Sequence, residues 1–170
     1  MSEVSSQPDI RQLVAEHYEM LFRFAWRLSG SKEDAEDLTQ QTFMIAQRKL
    51  HQLQEPDAVK SWLCTILRHL FLRSKSQKPT SLDLIPEPDV TGSEGDGLDT
   101  FDSEALQAAL DDLPEDFRTP ILLFYLGDFS YSQIAEQMDI PLGTVMSRLA
   151  RGREHLKQKL IARGFIETPH

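Results

Sequence analysis

The sequence has little of what membrane proteins and enzymes use. Its 170 residues include one cysteine, Cys64, so no internal disulfide can form. No stretch approaches the roughly 20 apolar residues of a membrane-spanning helix, and the N-terminus lacks the apolar core of a secretion signal. There is no glycine-rich phosphate loop, nucleophile motif or metal-spaced histidine and cysteine cluster. We therefore expect a cytoplasmic protein without membrane insertion, metal, cofactor or catalytic chemistry.

Charge is unevenly distributed along the chain. Lysine and arginine number 18 against 27 aspartate and glutamate residues, for a formal net charge of −9. This balance disfavours indiscriminate coating of nucleic acid, because phosphate attraction is the sequence-independent part of such binding. Yet Lys60 to Lys78 contains five basic residues and no acidic one, whereas Asp83 to Asp116 contains twelve acidic residues and no basic one. Any contact with nucleic acid is therefore expected from local basic surfaces.

Three amphipathic helices are predicted before residue 79. Apolar residues recur at helical spacing from Ile10 to Leu28, and Ser29-Gly30 ends that run. Ser31 followed by Asp34 resembles a capping box, which opens a second helix reaching about Leu50. A third helix is predicted from Pro56 to about Lys75, with the proline in its first turn.

A segment rich in proline, glycine, serine and acidic residues separates these helices from the rest of the chain. Residues 79–101 lack apolar periodicity and are predicted to be a flexible acidic linker. Helical stripes resume at Ala105 to Leu113 and at Ile121 to Leu126. We therefore predict an all-α fold, in which this linker joins two small helical domains, residues 1–78 and 102–170.

The stretch from Ser130 to Leu160 is predicted to form a helix-turn-helix. Two helices with apolar stripes flank Ile140-Pro141-Leu142-Gly143, where proline fixes one backbone angle and glycine frees another. Thr144 is expected to cap the second helix with its hydroxyl. Basic residues follow on that helix, namely Arg148, Arg151, Arg153, Lys157, Lys159 and Arg163. Such a helix suits the major groove of DNA, and the alternative is a solvated helix that happens to be basic.

Two other helices present candidate surfaces. On the second helix, a polar outward strip alongside Phe43 is suited to contact with another protein, and it consists of Asp37, Gln40, Gln41 and Gln47. The third helix interleaves aromatic and basic residues, as expected where melted nucleic acid needs both stacking and cations. Its basic side chains are Lys60, Arg68, His69, Arg73 and Lys75, with Lys78 just beyond. Trp62 and Phe71 are the candidate stacking residues, and the alternative, which is the more common one for such residues, is that they belong to the core.

The chain resembles a bacterial alternative sigma factor of the extracytoplasmic-function (ECF) type in both halves. Asp34 to Leu50, DAEDLTQQTFMIAQRKL, is similar to the core-polymerase-binding helix of that family. Ser61 to Lys75, SWLCTILRHLFLRSK, resembles its promoter-melting helix, and Leu110 to Leu160 its upstream-element-binding domain. The patterns D-x-x-Q-x-x-F, W-L and G-T-V-x-S-R-L occur in the family's order and spacing.

The resemblance implies a promoter-specificity subunit whose partners are core RNA polymerase, promoter DNA and an anti-sigma factor. On the polymerase it implies contacts with the beta-prime clamp helices and the beta flap. Core-binding roles fall on Asp37, Leu38, Gln40 and Phe43, beside Gln41. Roles at the −10 element fall on Trp62, Arg68, His69 and Arg73, flanked by Lys60 and Lys75. Roles at the −35 element fall on Thr144, Met146, Ser147, Arg148 and Arg151, followed by Arg153.

Two residues depart from the family's pattern, and two other classes of protein compete with it. His69 stands where asparagine is usual in the melting helix, and Met146 where the recognition helix often has a basic residue. The first alternative is a free-standing helix-turn-helix regulator that acts without polymerase, which would leave the polar strip and the basic third helix without a role. The second is an enzyme, for which the sequence provides no motif.

Overall fold

The computed structural model describes residues 9–53, 55–77 and 103–164, and its regular structure is helical throughout these ranges. Its α-helices are α1 (Ile10–Ser29), α2 (Lys32–Lys49), α3 (Val59–Gln77), α4 (Ser103–Asp111), α5 (Glu115–Tyr125), α6 (Tyr131–Met138) and α7 (Leu142–Ala162). None of these helices is long and apolar enough to span a bilayer. The all-α prediction is confirmed. The predicted linker, residues 79–101, lies outside the described residues.

The described residues group into two compact units. The first contains α1 to α3 together with Leu123–Phe129, and the second contains the other described residues. From sequence, Leu123–Phe129 was expected in the C-terminal domain. Because this short apolar segment ends α5 and precedes a turn, helical periodicity alone does not indicate which core receives it.

Local capping explains where α1 and α2 begin and end. The Asp9 side chain accepts a hydrogen bond from the Arg11 N–H at the start of α1. At its end, Gly30 adopts a left-handed φ of 75° and its N–H donates to the Trp26 carbonyl, a conformation that favours glycine. The Ser31 hydroxyl then accepts from the Asp34 N–H, as predicted, and α2 follows. The chain is thereby turned back so that α1 and α2 pack against each other.

The core of the first unit is an apolar seam between three helices. Leu21, Phe24 and Leu28 of α1 are buried with Leu63 and Leu67 of α3. Helix α2 contributes two buried threonines, whose hydroxyls donate to carbonyls of their own helix at 2.7 Å and are thereby satisfied. Helix α3 begins at Val59, after a short 3-10 turn at Pro56–Ala58, and thus later than predicted.

Helix α7 is the central packing element of the second unit. It contacts α4 and α6, and Gly152 brings it close to α5. A β-carbon at position 152 would lie 2.7 Å from Ile121 Cδ1 and 3.3 Å from Phe117 Cβ, closer than side chains tolerate. The buried residues Ile134, Val145 and Leu149 join α6 and α7 in the same core.

Candidate nucleic-acid and partner interface

The outward side of α2 is a polar strip with one large apolar side chain. Asp37, Gln40 and Gln41 are exposed and lie within one turn of each other. Met44 follows four residues after Gln40 and is 61% exposed, which is unusual for so apolar a side chain. Met44 was not among the residues predicted for this strip. The spacing from Asp37 to Met44 is two helical turns, so periodicity was the signal that could have placed it there.

The two other predicted core-binding residues of α2 face inward. Leu38 is 6% exposed and Phe43 is 7% exposed, and both lie in the core of the first unit. The expectation that Phe43 lies alongside the outward strip is therefore wrong. Phe43 instead stacks on Tyr18 of α1, which stacks in turn on Phe22. The physical reason is that a large aromatic ring gains more from burial between two helices than from exposure beside polar groups.

The predicted −10 residues of α3 divide between two sides of the helix. Trp62, His69 and Arg73 are separated by seven and four positions, so they share one side. Trp62 is half-buried, whereas His69 and Arg73 are exposed. The other three predicted residues, Lys60, Arg68 and Lys75, project from a different side. The structure therefore brings together an aromatic ring, an imidazole and a guanidinium, but not all six side chains.

Two cations of α3 already have contacts inside the first unit. Lys60 Nζ lies 2.6 Å from Asp128 Oδ2. Lys75 Nζ lies 5.2 Å from the centre of the Phe71 ring. Both groups of the Lys60–Asp128 pair are substantially solvent-exposed, so the pair contributes at most about 1 kcal/mol. An approaching phosphate could therefore take the place of the Asp128 carboxylate.

The turn between α6 and α7 differs from the predicted one. Helix α6 begins with a capping box between Ser130 and Gln133 and ends at Asp139, which adopts the left-handed conformation with a φ of 54°. The Ile140 N–H then donates to the Ala135 carbonyl at 3.0 Å. This closure resembles the left-handed helix ends that glycine usually forms. Asp139, rather than Gly143, thus supplies the unusual backbone angle.

Helix α7 begins at Leu142, directly after Pro141, and its first turn has no side-chain cap. The predicted capping role of Thr144 is wrong, because Thr144 already lies within the first turn. The fixed backbone angle of Pro141 instead suits the start of a helix. Gly143 is helical and open, since a β-carbon added there would meet nothing within 4 Å apart from its chain neighbours and the backbone of its own helix.

Four of the six predicted −35 residues lie on the outward surface of α7. Met146, Ser147, Arg151 and Arg153 are exposed, whereas Thr144 and Arg148 are half-buried. The Arg153 Nε donates to the Leu149 carbonyl at 3.3 Å, which holds that side chain along its own helix. The Ser147 hydroxyl donates to the Thr144 carbonyl. The helix therefore presents a basic surface with a short, partly apolar patch near its N-terminal end.

Comparison with known proteins identifies the family. Residues 13–78 match the family described as Sigma-70 region 2, and residues 103–156 match Sigma-70, region 4. The chain is 33% identical to the ECF RNA polymerase sigma-E factor of Haemophilus influenzae, over 76% of each chain. It belongs to the ECF sigma factors of the sigma-70 family. The matched regions contain the candidate surfaces of α2, α3 and α7.

Two further likenesses agree with this assignment. The ECF sigma factor is 36% identical to ECF RNA polymerase sigma factor SigE of Mycolicibacterium smegmatis, over 92% of its own length and 63% of the relative's. Its structure is similar to that of the sigma factor RpoE of Bartonella quintana, solved in complex with the anti-sigma factor NepR. That likeness has a TM-score of 0.67 and 30% identity and covers 90% of this chain and 97% of the other.

Proposed function

We propose that the chain is an alternative sigma factor that binds core RNA polymerase and directs initiation at specific promoters. The observation that carries the proposal is the polar α2 strip with Met44 on it, in the same chain as a basic helix-turn-helix. A DNA-binding protein that acts alone would not need the α2 surface. In this proposal the chain works in the cytoplasm, supplies promoter recognition and leaves phosphodiester synthesis to the polymerase.

Helix α2 would contact the polymerase through its exposed side. Asp37, Gln40 and Gln41 would make polar contacts with the beta-prime clamp helices, around an apolar contact from Met44. Apolar side chains surrounded by polar ones are typical of the central part of protein interfaces. Leu38 and Phe43 would act indirectly, because their burial fixes α2 against α1.

The two DNA elements would be contacted from different helices. Trp62, His69 and Arg73 would lie at the −10 element, where Trp62 can stack on an unpaired base and Arg73 can meet phosphate. Arg68, Lys60 and Lys75 would add cationic charge around them.

Helix α7 would enter the major groove at the −35 element with Met146, Ser147 and Arg151, while Thr144, Arg148 and Arg153 flank them. We also propose contacts of the second unit with the beta flap.

An anti-sigma protein is a third proposed partner. The similar RpoE of Bartonella quintana was solved with the anti-sigma factor NepR, and the likeness covers 90% of this chain. A regulator that covers the outward surface of α2 or α7 would block polymerase or DNA, respectively. Competition between such a protein and core polymerase for the full chain would support this part of the proposal.

The decisive experiment compares two single-charge variants of α2 in a titration with core polymerase. Asp37→Asn and Glu36→Gln each remove one negative charge from adjacent exposed positions, but only Asp37 lies on the strip with Gln40 and Met44. We expect Asp37→Asn and Met44→Ala to weaken polymerase binding and promoter-dependent transcription, and Glu36→Gln to leave both unchanged. Tight promoter binding without polymerase, combined with no effect of either strip variant, would instead support a free-standing regulator.

A further inference from the structure

The N-terminal end of α7 carries an apolar patch that the structure leaves uncovered. Leu142 is 46% exposed and Met146 is 52% exposed. Four positions separate them, so they are neighbours on the helix surface. The next apolar residues of α7, Val145 and Leu149, are fully buried against the rest of the second unit. The patch therefore lies outside the buried stripe of Val145 and Leu149 and does not belong to the core.

Small residues surround Met146 on the exposed side. Gly143, Ser147 and Ala150 are all exposed, and apart from its chain neighbours and the backbone of its own helix nothing lies within 4 Å of where a β-carbon at position 143 would be. Met146 is thus the longest apolar side chain on this side of the first three turns. A helix of this shape can approach a concave surface closely and insert one flexible thioether into it.

The charged residues that follow the patch along α7 indicate which kind of surface the patch contacts. Arg148, Arg151, Arg153 and Lys157 follow on the same helix, and Glu154 is the one acidic residue among them. These cations lie beyond the patch along the same helix and complement the phosphate backbone of a DNA groove. The patch is therefore complementary to an apolar group on the floor of the DNA major groove. Thymine is the base that presents one, its 5-methyl group.

We propose that Leu142 and Met146 specify thymine, through its 5-methyl group, within the upstream promoter element. The inference rests on the proposed function, since it assigns a base to the DNA surface of α7. A methionine has no N–H donor for the guanine O6 and N7 acceptors, which arginine or lysine would contact. At this position the chain therefore selects a T·A pair by apolar contact in place of a G·C pair by hydrogen bonding.

The experiment uses polymerase reconstituted with the full chain and promoter duplexes randomised in the upstream block. Duplexes retained by the holoenzyme are sequenced, and each enriched thymine is then replaced by deoxyuridine, which differs by the methyl group alone. Burial of one methyl group is expected to change affinity about fourfold, and burial of two about fifteenfold. We expect a loss of this size at one or two adjacent thymines.

Matched variants assign that loss to the patch. Met146→Ala and Leu142→Ala should remove the difference between thymine and uracil, whereas Met146→Leu, which keeps the apolar contact, should retain it. Met146→Gln has a similar length but can pair with adenine, so its selected base should change. Arg151→Ala should weaken binding to thymine and uracil duplexes by the same factor.

The outcomes separate this inference from the proposed function. If promoter duplexes are enriched only with polymerase, but thymine and uracil duplexes bind with equal affinity, the inference is overturned and the proposed function stands. The same holds if Met146→Ala and Leu142→Ala both keep the wild-type preference for thymine over uracil. An absence of any polymerase-dependent enrichment overturns both.

Discussion

Tyr18 of α1 and Phe43 of α2 stack with their ring centroids 6.4 Å apart and their planes 11° from parallel. Tyr18 is partly exposed, and its ring covers Phe43, whose own exposure is small. The aromatic ring of the family's D-x-x-Q-x-x-F pattern is thus a packing contact in this chain. The outward side of α2 consists instead of the exposed residues Asp37, Gln40, Gln41 and Met44.

Substitutions of Phe43 test whether this residue acts by packing in the core of the first unit or by contacting polymerase. We expect Phe43→Ala to lower the free energy of unfolding of the first unit by about 3–5 kcal/mol, because it removes a buried ring and leaves a cavity. Phe43→Leu keeps an apolar side chain in the site and should cost less. Chemical denaturation followed by circular dichroism measures both changes.

The control for this comparison is Met44→Ala, which truncates an exposed side chain one position along α2. Its effect on unfolding should be within about 0.5 kcal/mol, as is usual for surface substitutions. Its effect on polymerase affinity should exceed that of Phe43→Leu. If Phe43→Leu instead reduces polymerase affinity in a protein of normal stability, Phe43 makes a direct contact and its assignment to packing alone is wrong.

Two glycines of α7 should respond to alanine in opposite directions. At Gly152 a β-carbon would meet Ile121 Cδ1 at 2.7 Å and the Phe117 carbonyl oxygen at 3.3 Å. We expect Gly152→Ala to destabilise the second unit by about 1–3 kcal/mol, the usual range for overpacking. Thermal unfolding of the variant gives the measurement.

Gly143→Ala is the matched substitution in the same helix. Position 143 is helical and has open space around it, so alanine should stabilise α7 by up to about 1 kcal/mol through helix propensity. Both substitutions add one methyl group to a glycine of α7, so a difference in stability between the two variants reflects the packing around each position. A neutral or stabilising Gly152→Ala would mean that α5 can move away from α7 at little cost.

Sequence patterns predicted the helices well because their signals are periodic. The α1 stripe, its end at Gly30 and the Ser31 cap were all identified from local residue types, and all are confirmed. The all-α class followed from the helical stripes and is confirmed by the helices of the described residues. The family followed from motifs in the family's order along this chain and is confirmed by the matches to residues 13–78 and 103–156.

Side-chain direction and turn conformation were less predictable. Phe43 and Met44 are adjacent large residues, and Phe43 was assigned to the outward strip although the seven-residue spacing from Asp37 places Met44 there. The helix-turn-helix was recognised, but its turn was assigned to the residue type that most often takes a positive φ. Asp139 takes it here, because aspartate tolerates the left-handed region better than most residues do.

Cys64 should be unreactive in the folded protein. It is fully buried in α3, and burial raises the pKa of its thiol to about 12, with Lys60 opposing and Asp128 reinforcing that shift. Since the thiolate is the reactive form, alkylation at about pH 8 should be slow by orders of magnitude relative to an exposed thiol. Mass spectrometry after timed treatment with iodoacetamide, with and without urea, checks this.

Because Cys64 is the one cysteine of the chain, the labelled fraction reports directly on opening of the first unit. Variants that destabilise this unit, such as Phe43→Ala, should be labelled faster without urea. Gly143→Ala, at an open position of α7, should not change the rate. Rapid labelling of the wild-type protein would show that α3 opens without denaturant.

Arg148 and Arg151 should make different kinds of contact with the upstream element. Arg151 is exposed and lies four residues after Ser147 on the outward surface of α7, whereas Arg148 is half-buried at its edge. We therefore expect Arg151 to contact a base edge and Arg148 to contact phosphate. Loss of a bidentate base contact should cost about 1–3 kcal/mol and relax preference at one position. Loss of a phosphate contact should weaken binding evenly across sequences and reduce the salt slope by about one.

Substitution by lysine distinguishes these contacts more sharply than substitution by alanine. Lysine keeps the positive charge but lacks the planar fork of arginine, so Arg148→Lys should restore most of the binding that Arg148→Ala loses. The Arg151→Lys variant should still show a relaxed base preference at one position of the upstream element. The lysine ammonium is a point charge and does not reproduce the paired N–H donors of arginine. Footprinting of holoenzymes over a promoter library, at two salt concentrations, measures preference and salt slope together. If neither arginine affects either quantity, the DNA-contacting surface of the second unit lies away from the outward side of α7.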